Sequence, residues 1–232
     1  MGTGGTGGEP GMAGAGTAAD RLAARLARAG GPAWGQLSAA AHQLGDVDRA
    51  VYAAIAGVPT PELDVPVRSL SRAADNSRLW LVIAAGLAVG GGPAGRRAAA
   101  RGLAAIGVTS ALVNLAIKPM YPRRRPDREE ARVPGARHVR MPVSASFPSG
   151  HSATAFAFAT AIGTDAPWLS LVLHLLATGV AYSRVHTGVH YPGDTVIGAV
   201  IGAVAGQAVA GVTGHLPAAA ASTRNRAVGT GS

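Results

Sequence analysis

The stretch Thr195-Val-Ile-Gly-Ala-Val-Ile-Gly-Ala-Val-Ala-Gly-Gln-Ala-Val-Ala-Gly-Val-Thr-Gly214 contains no Asp, Glu, Lys or Arg. It matches the roughly 20 apolar residues that cross the hydrocarbon core of a bilayer as a helix. Working outward, Leu79 to Gly95, Gly102 to Ile117 and Ala166 to Ser183 also lack those four residues, and Ser152 to Thr164 is a shorter run of the same kind. Charged residues make up 14% of the chain, well below the roughly 25% of an average soluble domain. The mean hydropathy of +0.23 is modest, because a polar N-terminal third dilutes it and the runs are rich in Ala and Gly. A soluble all-α protein is the competing reading, but five such runs are hard to bury in water within one small domain. The expected fold is therefore all-α, an integral membrane helical bundle. It has about five transmembrane helices, at about 77–93, 99–118, 149–164, 167–185 and 194–213, with N-terminal amphipathic helices before them. Gly198, Gly202 and Gly206 recur every fourth residue. That spacing makes a smooth groove for a close neighbour, either within the chain or across a homodimer.

The expected organisation has four parts. Residues 1–16 form a Gly-rich disordered tail, 17–76 an amphipathic, interfacial helical segment, 77–214 the membrane-embedded domain, and 215–232 a disordered C-terminal tail. Thr17 to Ala29 reads as a basic amphipathic helix, with Leu22 and Leu26 on one stripe and Arg21, Arg25 and Arg28 beside it; Gly30-Gly31-Pro32 is expected to stop it. Val51 to Gly57 is apolar but too short to span, and Leu63, Val67 and Leu70 mark another interfacial stripe. The start of the chain lacks the basic, Leu-rich pattern of a signal peptide. A net charge of +9 suits nucleic acid or anionic lipid. With aromatics at 4% and no recognisable nucleic-acid module, no nucleic-acid partner is expected. There is no cysteine, so disulfides and thiolate catalysis are excluded.

Three short segments carry chemistry: Lys118-Pro-Met-Tyr-Pro-Arg-Arg-Arg125-Pro126, Phe147-Pro148-Ser149-Gly150-His151, and Ser183-Arg184-Val-His-Thr-Gly-Val-His190-Tyr-Pro-Gly-Asp194. In the expected order of spans, Lys118 closes the second, Ser149 opens the third, Arg184 closes the fourth and Asp194 opens the fifth. Antiparallel neighbours then bring all four ends to one side of the membrane. Breaking a P–O bond needs cations on the non-bridging oxygens, a nucleophile, and a proton for the leaving oxygen. Lys118, Arg125 and Arg184 are the candidate phosphate-binding cations, with arginine offering a planar fork and lysine a point charge. Ser149 is the expected N-cap of a helix whose first N–H groups face an anion, and Gly150 lets a phosphate approach the backbone. His190 is the candidate nucleophile. Asp194, four residues on, holds one ring nitrogen and leaves the other free. His151 is the candidate acid for the leaving oxygen. Taken singly, the arginine run reads as a topology signal and His151 as a cap; it is the three spacings together that point to phosphate chemistry. His186 is near enough to line the site but receives no role. No His/Asp/Glu cluster has metal-ligand spacing, so no metal is expected.

These residues resemble the signature of the type 2 phosphatidic acid phosphatase superfamily, the lipid phosphate phosphatases: K-x6-RP, PSGH and SR-x5-H-x3-D. Lys118, Arg125, Pro126, Pro148, Ser149, Gly150, His151, Ser183, Arg184, His190 and Asp194 fill its positions. The resemblance spans about residues 70–214. It implies a metal-independent, cofactor-free phosphatase acting through a phosphohistidine on a lipid phosphate: phosphatidate, phosphatidylglycerophosphate, or a polyprenyl phosphate or diphosphate such as undecaprenyl diphosphate. Bacterial membrane members usually have six spans, one more than is read here. Leu70 to Trp80 is also similar to actinobacterial members fused to a kinase-like domain, which is not expected in this chain. Two other readings use the same residues: a vanadium-dependent haloperoxidase, disfavoured by the spans, and a non-catalytic membrane scaffold. The expected location is the cell membrane, multi-pass. The excess of basic residues at the catalytic end favours the cytoplasmic side by the positive-inside rule, whereas the resemblance favours the outer face, which is the expectation carried forward.

Overall fold

The computed structural model describes residues 31–229, so the basic helix expected at Thr17–Ala29 lies outside the described residues. The chain divides after Val47. The first unit is described over residues 31–47, a helical stretch on which His42, Leu44 and Val47 are exposed. The second begins at Asp48 and holds the last turns of the first helix, the remaining helices and the candidate site. The helices are α1 (Gly31–Gly57), α2 (Pro61–Ala73), α3 (Arg78–Gly90), α4 (Gly92–Met120), α5 (Gly150–Ala161), α6 (Pro167–His186) and α7 (Pro192–Gly229). Among the described residues there is no strand. Gly31-Pro32 opens a helix where a stop was expected; proline is well tolerated in a first turn, whose N–H groups have no intrahelical partner. The apolar stretch at Val51–Gly57 is the end of that helix.

Among the described residues, three helices are long and apolar enough to cross a membrane: Gly92–Met120, Pro167–His186 and the Pro192–Gly214 part of α7. Two of the five expected spans are shorter than a crossing. With 13 and 12 residues, α3 and α5 rise only about 20 Å each. Their uncharged runs continue through turns, and composition alone does not mark that. The α3 run breaks at Gly91-Gly92, where Gly92 has φ +60. The turn is tight: a Cβ on Gly91 would stand 2.7 Å from the Leu87 carbonyl oxygen. The α5 run passes through a 3-10 turn, Ile162–Thr164, before Pro167 starts α6.

α5 is the centre of the bundle, packed by α4, α6 and α7. Ala153, Ala155, Ala157, Phe158, Ala159 and Ala161 have no exposed surface. Phe158 meets Trp80 of α3 with ring centroids 5.5 Å apart. The glycine stripe of α7 lies directly on α5. A Cβ on Gly198 would stand 2.5 Å from the Ser149 carbonyl oxygen, one on Gly206 2.5 Å from that of Ala157, and one on Gly202 would overlap that of Ala153. Of the two uses expected for the groove, the one within the chain is seen: Gly198, Gly202 and Gly206 pack on the chain's own α5. Because 198, 202 and 206 pair with 149, 153 and 157, the two helices run parallel and begin side by side. The outward faces are apolar, including Leu103, Val108, Leu115, Leu171, Leu175, Val200 and Val204. Hydrocarbon is the solvent that suits such a surface, and the fold is that of a helical membrane protein.

Candidate active site

Lys118 sits at the end of a π-helical turn, Leu112–Ile117, that widens the last part of α4. The Asn114 amide donates back to the Ser110 carbonyl at 2.9 Å. Pro119 and Pro122 cannot continue the ladder, so the chain leaves the helix into a long segment that carries Arg125. Backbone acceptors hold that arginine's fork. Nε donates to the Ser144 carbonyl at 2.9 Å, Nη1 to that of Val189 at 2.8 Å and Nη2 to that of Ala145 at 3.2 Å. Lys118 Nζ donates to Ser144 Oγ at 3.1 Å. Across from these cations α5 begins. Ser149 caps it, its hydroxyl accepting from the Ser152 N–H at 3.4 Å. A Cβ on Gly150 would stand 3.9 Å from Lys118 Nζ. These groups surround a cavity of about 260 Å³, with Asn114, Lys118, Arg125, Gly150, His151 and His190 in its wall. Five expected site residues thus share one cavity. Ser149 is fully buried and is not part of its wall.

His190 lies in the short turn between α6 and α7, which Gly188 closes at φ +69. It is 1% exposed. Its Nδ1 is 3.5 Å from Asp194 Oδ2. That same oxygen accepts from Ser146 Oγ at 2.5 Å and from the Tyr191 N–H at 3.0 Å. Its Nε2 is 3.2 Å from Arg125 Nη1. A guanidinium can only donate. Nε2 therefore carries the lone pair, and the ring proton sits on Nδ1 toward the carboxylate. Burial is the main influence on this imidazole and Arg125 adds to it; against the pull of Asp194 they push its pKa down to about 3. The ring is neutral at physiological pH, as a nucleophile must be.

His151 and Arg184 meet through a residue the motifs did not mark. Asp75 lies in the 3-10 turn Asp75–Ser77, where Asn76 and Ser77 both adopt positive φ. Its Oδ1 is 2.9 Å from His151 Nε2 and 3.5 Å from Arg184 Nη1. The hydrogen bond to His151 is the main reason its carboxyl lies below the usual range. Arg184, expected on the phosphate, stands one layer behind the wall. It is 1% exposed and donates to Ser71 Oγ at 2.6 Å, and its Nε has no partner among the described residues. His186 does not line the cavity. It pairs with Asp64 at 3.1 Å, in a buried group that Arg137 completes at 2.8 Å.

Asp75, Ser146, Arg123 and Asp48 were not singled out from the sequence. Arg123 Nη1 donates to Asp194 Oδ1 at 2.8 Å, and its Nη2 donates to Asp48 Oδ2 at 2.7 Å. The only sequence signals were weak: Arg123 lies inside the first motif and Asp75 inside Leu70–Trp80.

Comparison with known proteins places the chain in a family. The model of the PAP2 superfamily matches residues 99–215. A decaprenylphosphoryl-5-phosphoribose phosphatase of Mycobacterium tuberculosis is 34% identical over 73% of this chain and 92% of its own length. A lipid A 4'-phosphatase of Bacteroides thetaiotaomicron is 33% identical over 41% of this chain, and the match spans only 44% of that protein. In fold, the crystal structure of a transmembrane PAP2 type phosphatidylglycerolphosphate phosphatase from Bacillus subtilis superposes with a TM-score of 0.57, at 23% identity, over 83% of this chain and 90% of that one. The chain belongs to the PAP2 superfamily.

Proposed function

We propose that the protein is a lipid phosphatase working through a phosphohistidine. The observation that carries this reading is the environment of His190. One ring nitrogen is backed by a buried carboxylate, and the other, unprotonated, faces a cavity walled by Lys118, Arg125 and the start of α5. A phosphate in that cavity meets two cations, the first N–H groups of α5 and the positive end of its dipole. His190 Nε2 attacks phosphorus, and a P–N bond forms as the P–O bond to the lipid breaks. The departing oxygen takes a proton from His151, and Asp194 stabilises the imidazolium. Water then attacks phosphorus and gives a proton to His151, the P–N bond breaks, and inorganic phosphate leaves. Asp75 holds one nitrogen of His151, so the other carries the proton that moves. The apolar flanks of α4, α6 and α7 keep the substrate's chains in the bilayer while its phosphate enters the cavity.

The named relatives act, by their names, on lipid A and on a decaprenylphosphoryl ribose phosphate, which supports a membrane lipid bearing a phosphomonoester as the substrate class. Phosphate release by the purified, detergent-solubilised protein tests the reading. The panel is phosphatidate, phosphatidylglycerophosphate and a polyprenyl diphosphate, with EDTA throughout and His190→Ala as control. Release from at least one lipid, undiminished by EDTA and absent in the variant, is expected. Release that survives in the variant overturns the nucleophile assignment, and loss in EDTA that added metal restores overturns the metal-free chemistry.

A further inference from the structure

The four groups around the Asp194 carboxylate do not all belong to the three motifs. Its Oδ2 faces His190, Ser146 and the Tyr191 N–H. Its Oδ1 is held by Arg123, and Arg123 is itself held by Asp48, on the last turns of α1. The other oxygen of Asp48 accepts from the Gly193 N–H at 2.7 Å. Gly193 directly precedes Asp194 and lies in the first turn of α7. A Cβ there would stand 3.0 Å from Asp48 Oδ2, so the carboxylate packs closely on this backbone. The Arg123 guanidinium also lies 4.3 Å from the centre of the Tyr191 ring, next to the nucleophile, and Tyr191 packs edge-on against Tyr52 of α1. Burial works against the charge on Arg123, but Asp194 and Asp48 outweigh it and keep the guanidinium more firmly protonated than a free one.

We propose that Asp48 and Arg123 are positioning residues for the nucleophile, forming a relay Asp48–Arg123–Asp194–His190 that makes the end of α1 part of the active site. The inference rests on His190 being the nucleophile. A carboxylate with one oxygen free can rotate about its Cβ–Cγ bond, and the imidazole it holds rotates with it. With Oδ1 fixed by a two-handed arginine, Oδ2 has one direction, and Nε2 points at one place in the cavity. Asp48 supplies the second hand and also fixes the backbone at Gly193. None of these groups touches substrate, so their loss should appear in the chemical step and leave binding intact.

The test is steady-state kinetics on the full chain, using whichever lipid phosphate of the panel the wild type turns over fastest. Variants are Asp48→Ala, Asp48→Asn, Arg123→Met, Arg123→Lys and the double Asp48→Ala/Arg123→Met. Asp48→Ala and Arg123→Met should each lower kcat by about 10- to 100-fold, the scale of a misplaced reacting group, with KM within about twofold. Arg123→Lys should recover part of the loss. The double variant should be no slower than Arg123→Met alone, because groups in one relay are not additive. Unchanged kcat per folded molecule with a lowered melting temperature would make the contact a plain staple and overturn the proposal. So would additive losses, or a rise in KM alone. Should Asp48→Ala not fold, Asp48→Asn and Arg123→Lys carry the same comparison. His190→Ala in the same assay separates the two levels. Turnover that persists there rejects the phosphatase mechanism, whereas full kcat in the Asp48 and Arg123 variants rejects only the relay.

Discussion

His190 is a buried histidine kept neutral, and that has consequences for pH. Unfolded, it takes up a proton near the ordinary value of about 6.5; folded, it does so only at about 3. The unfolded state therefore binds more protons between those values. The contribution of His190 to stability is complete above about 6.5 and is lost as pH falls toward 3. Melting temperatures in detergent should fall over that window in the wild type and fall less in His190→Gln. Any loss of kcat/KM between pH 5 and 7 should come from groups other than His190, and a pH–rate profile checks it. Asp75 gives a second expectation. If it keeps His151 set as the acid, Asp75→Asn should slow turnover of alkyl phosphates about tenfold or more, within the range of general acid catalysis, yet spare p-nitrophenyl phosphate, whose leaving group needs no proton. Equal losses on both substrates would refute that role. That Lys118, Arg125, His151 and His190 would gather at one cavity, with Asp194 behind His190, was legible in sequence because each lies close to a helix end. Asp75 and Asp48 were not, because their partners lie 76 and 75 residues away, and a lone acidic residue in an amphipathic helix or turn looks like any solvated charge. Arg184 was placed on the phosphate by its motif, but its neighbours, Ser71 and Asp75, come from a part of the chain the motif does not reach.

At the scale of elements, the pairing of α5 with α7 does most to shape the site. Ser149 N donates to the Asp194 carbonyl at 2.9 Å, so the helix bearing His151 and the helix following His190 start from one hydrogen bond. Gly202→Val should be among the most damaging substitutions outside the cavity. The new side chain would meet the backbone of Ala153, which cannot move aside, and overpacking of this kind costs about 1–3 kcal/mol or more. Gly107→Ala, where a Cβ meets nothing within 4 Å, should leave the melting temperature unchanged or raise it. A thermal melt of both variants decides the matter, and equal behaviour would argue against the glycine contact. The existence and order of five helical runs were readable from the absence of charge. Their ends were less so. The break at Gly91-Gly92 and the turn at Ile162–Thr164 sit inside uncharged sequence, and Pro32 lies where either a stop or a start is chemically reasonable.

At the largest scale, the unit from Asp48 onward is a buried helix, α5, packed by longer apolar ones, with the candidate site at one end. The other end is closed by Arg101, which pairs with Asp165 at 2.6 Å and donates to Thr213 at 2.7 Å. Arg101→Ala should therefore lower the melting temperature while leaving KM unaltered, since it lies far from the cavity along α4. Kinetics and a melt on the same preparation test this, and a raised KM would show the two ends to be coupled. The parallel start of α5 and α7 bears on timing. The proposed acid sits in the first turn of α5 and the proposed nucleophile just before α7, two helices joined by a hydrogen bond and glycine contacts, so the fold itself fixes their relative placement. Turnover should then be paced by traffic: a lipid drifting sideways through the leaflet, docking its headgroup, and drifting away. In vesicles the rate should rise and fall with the fluidity of the surrounding bilayer, and short-chain substrates delivered from water should escape that dependence.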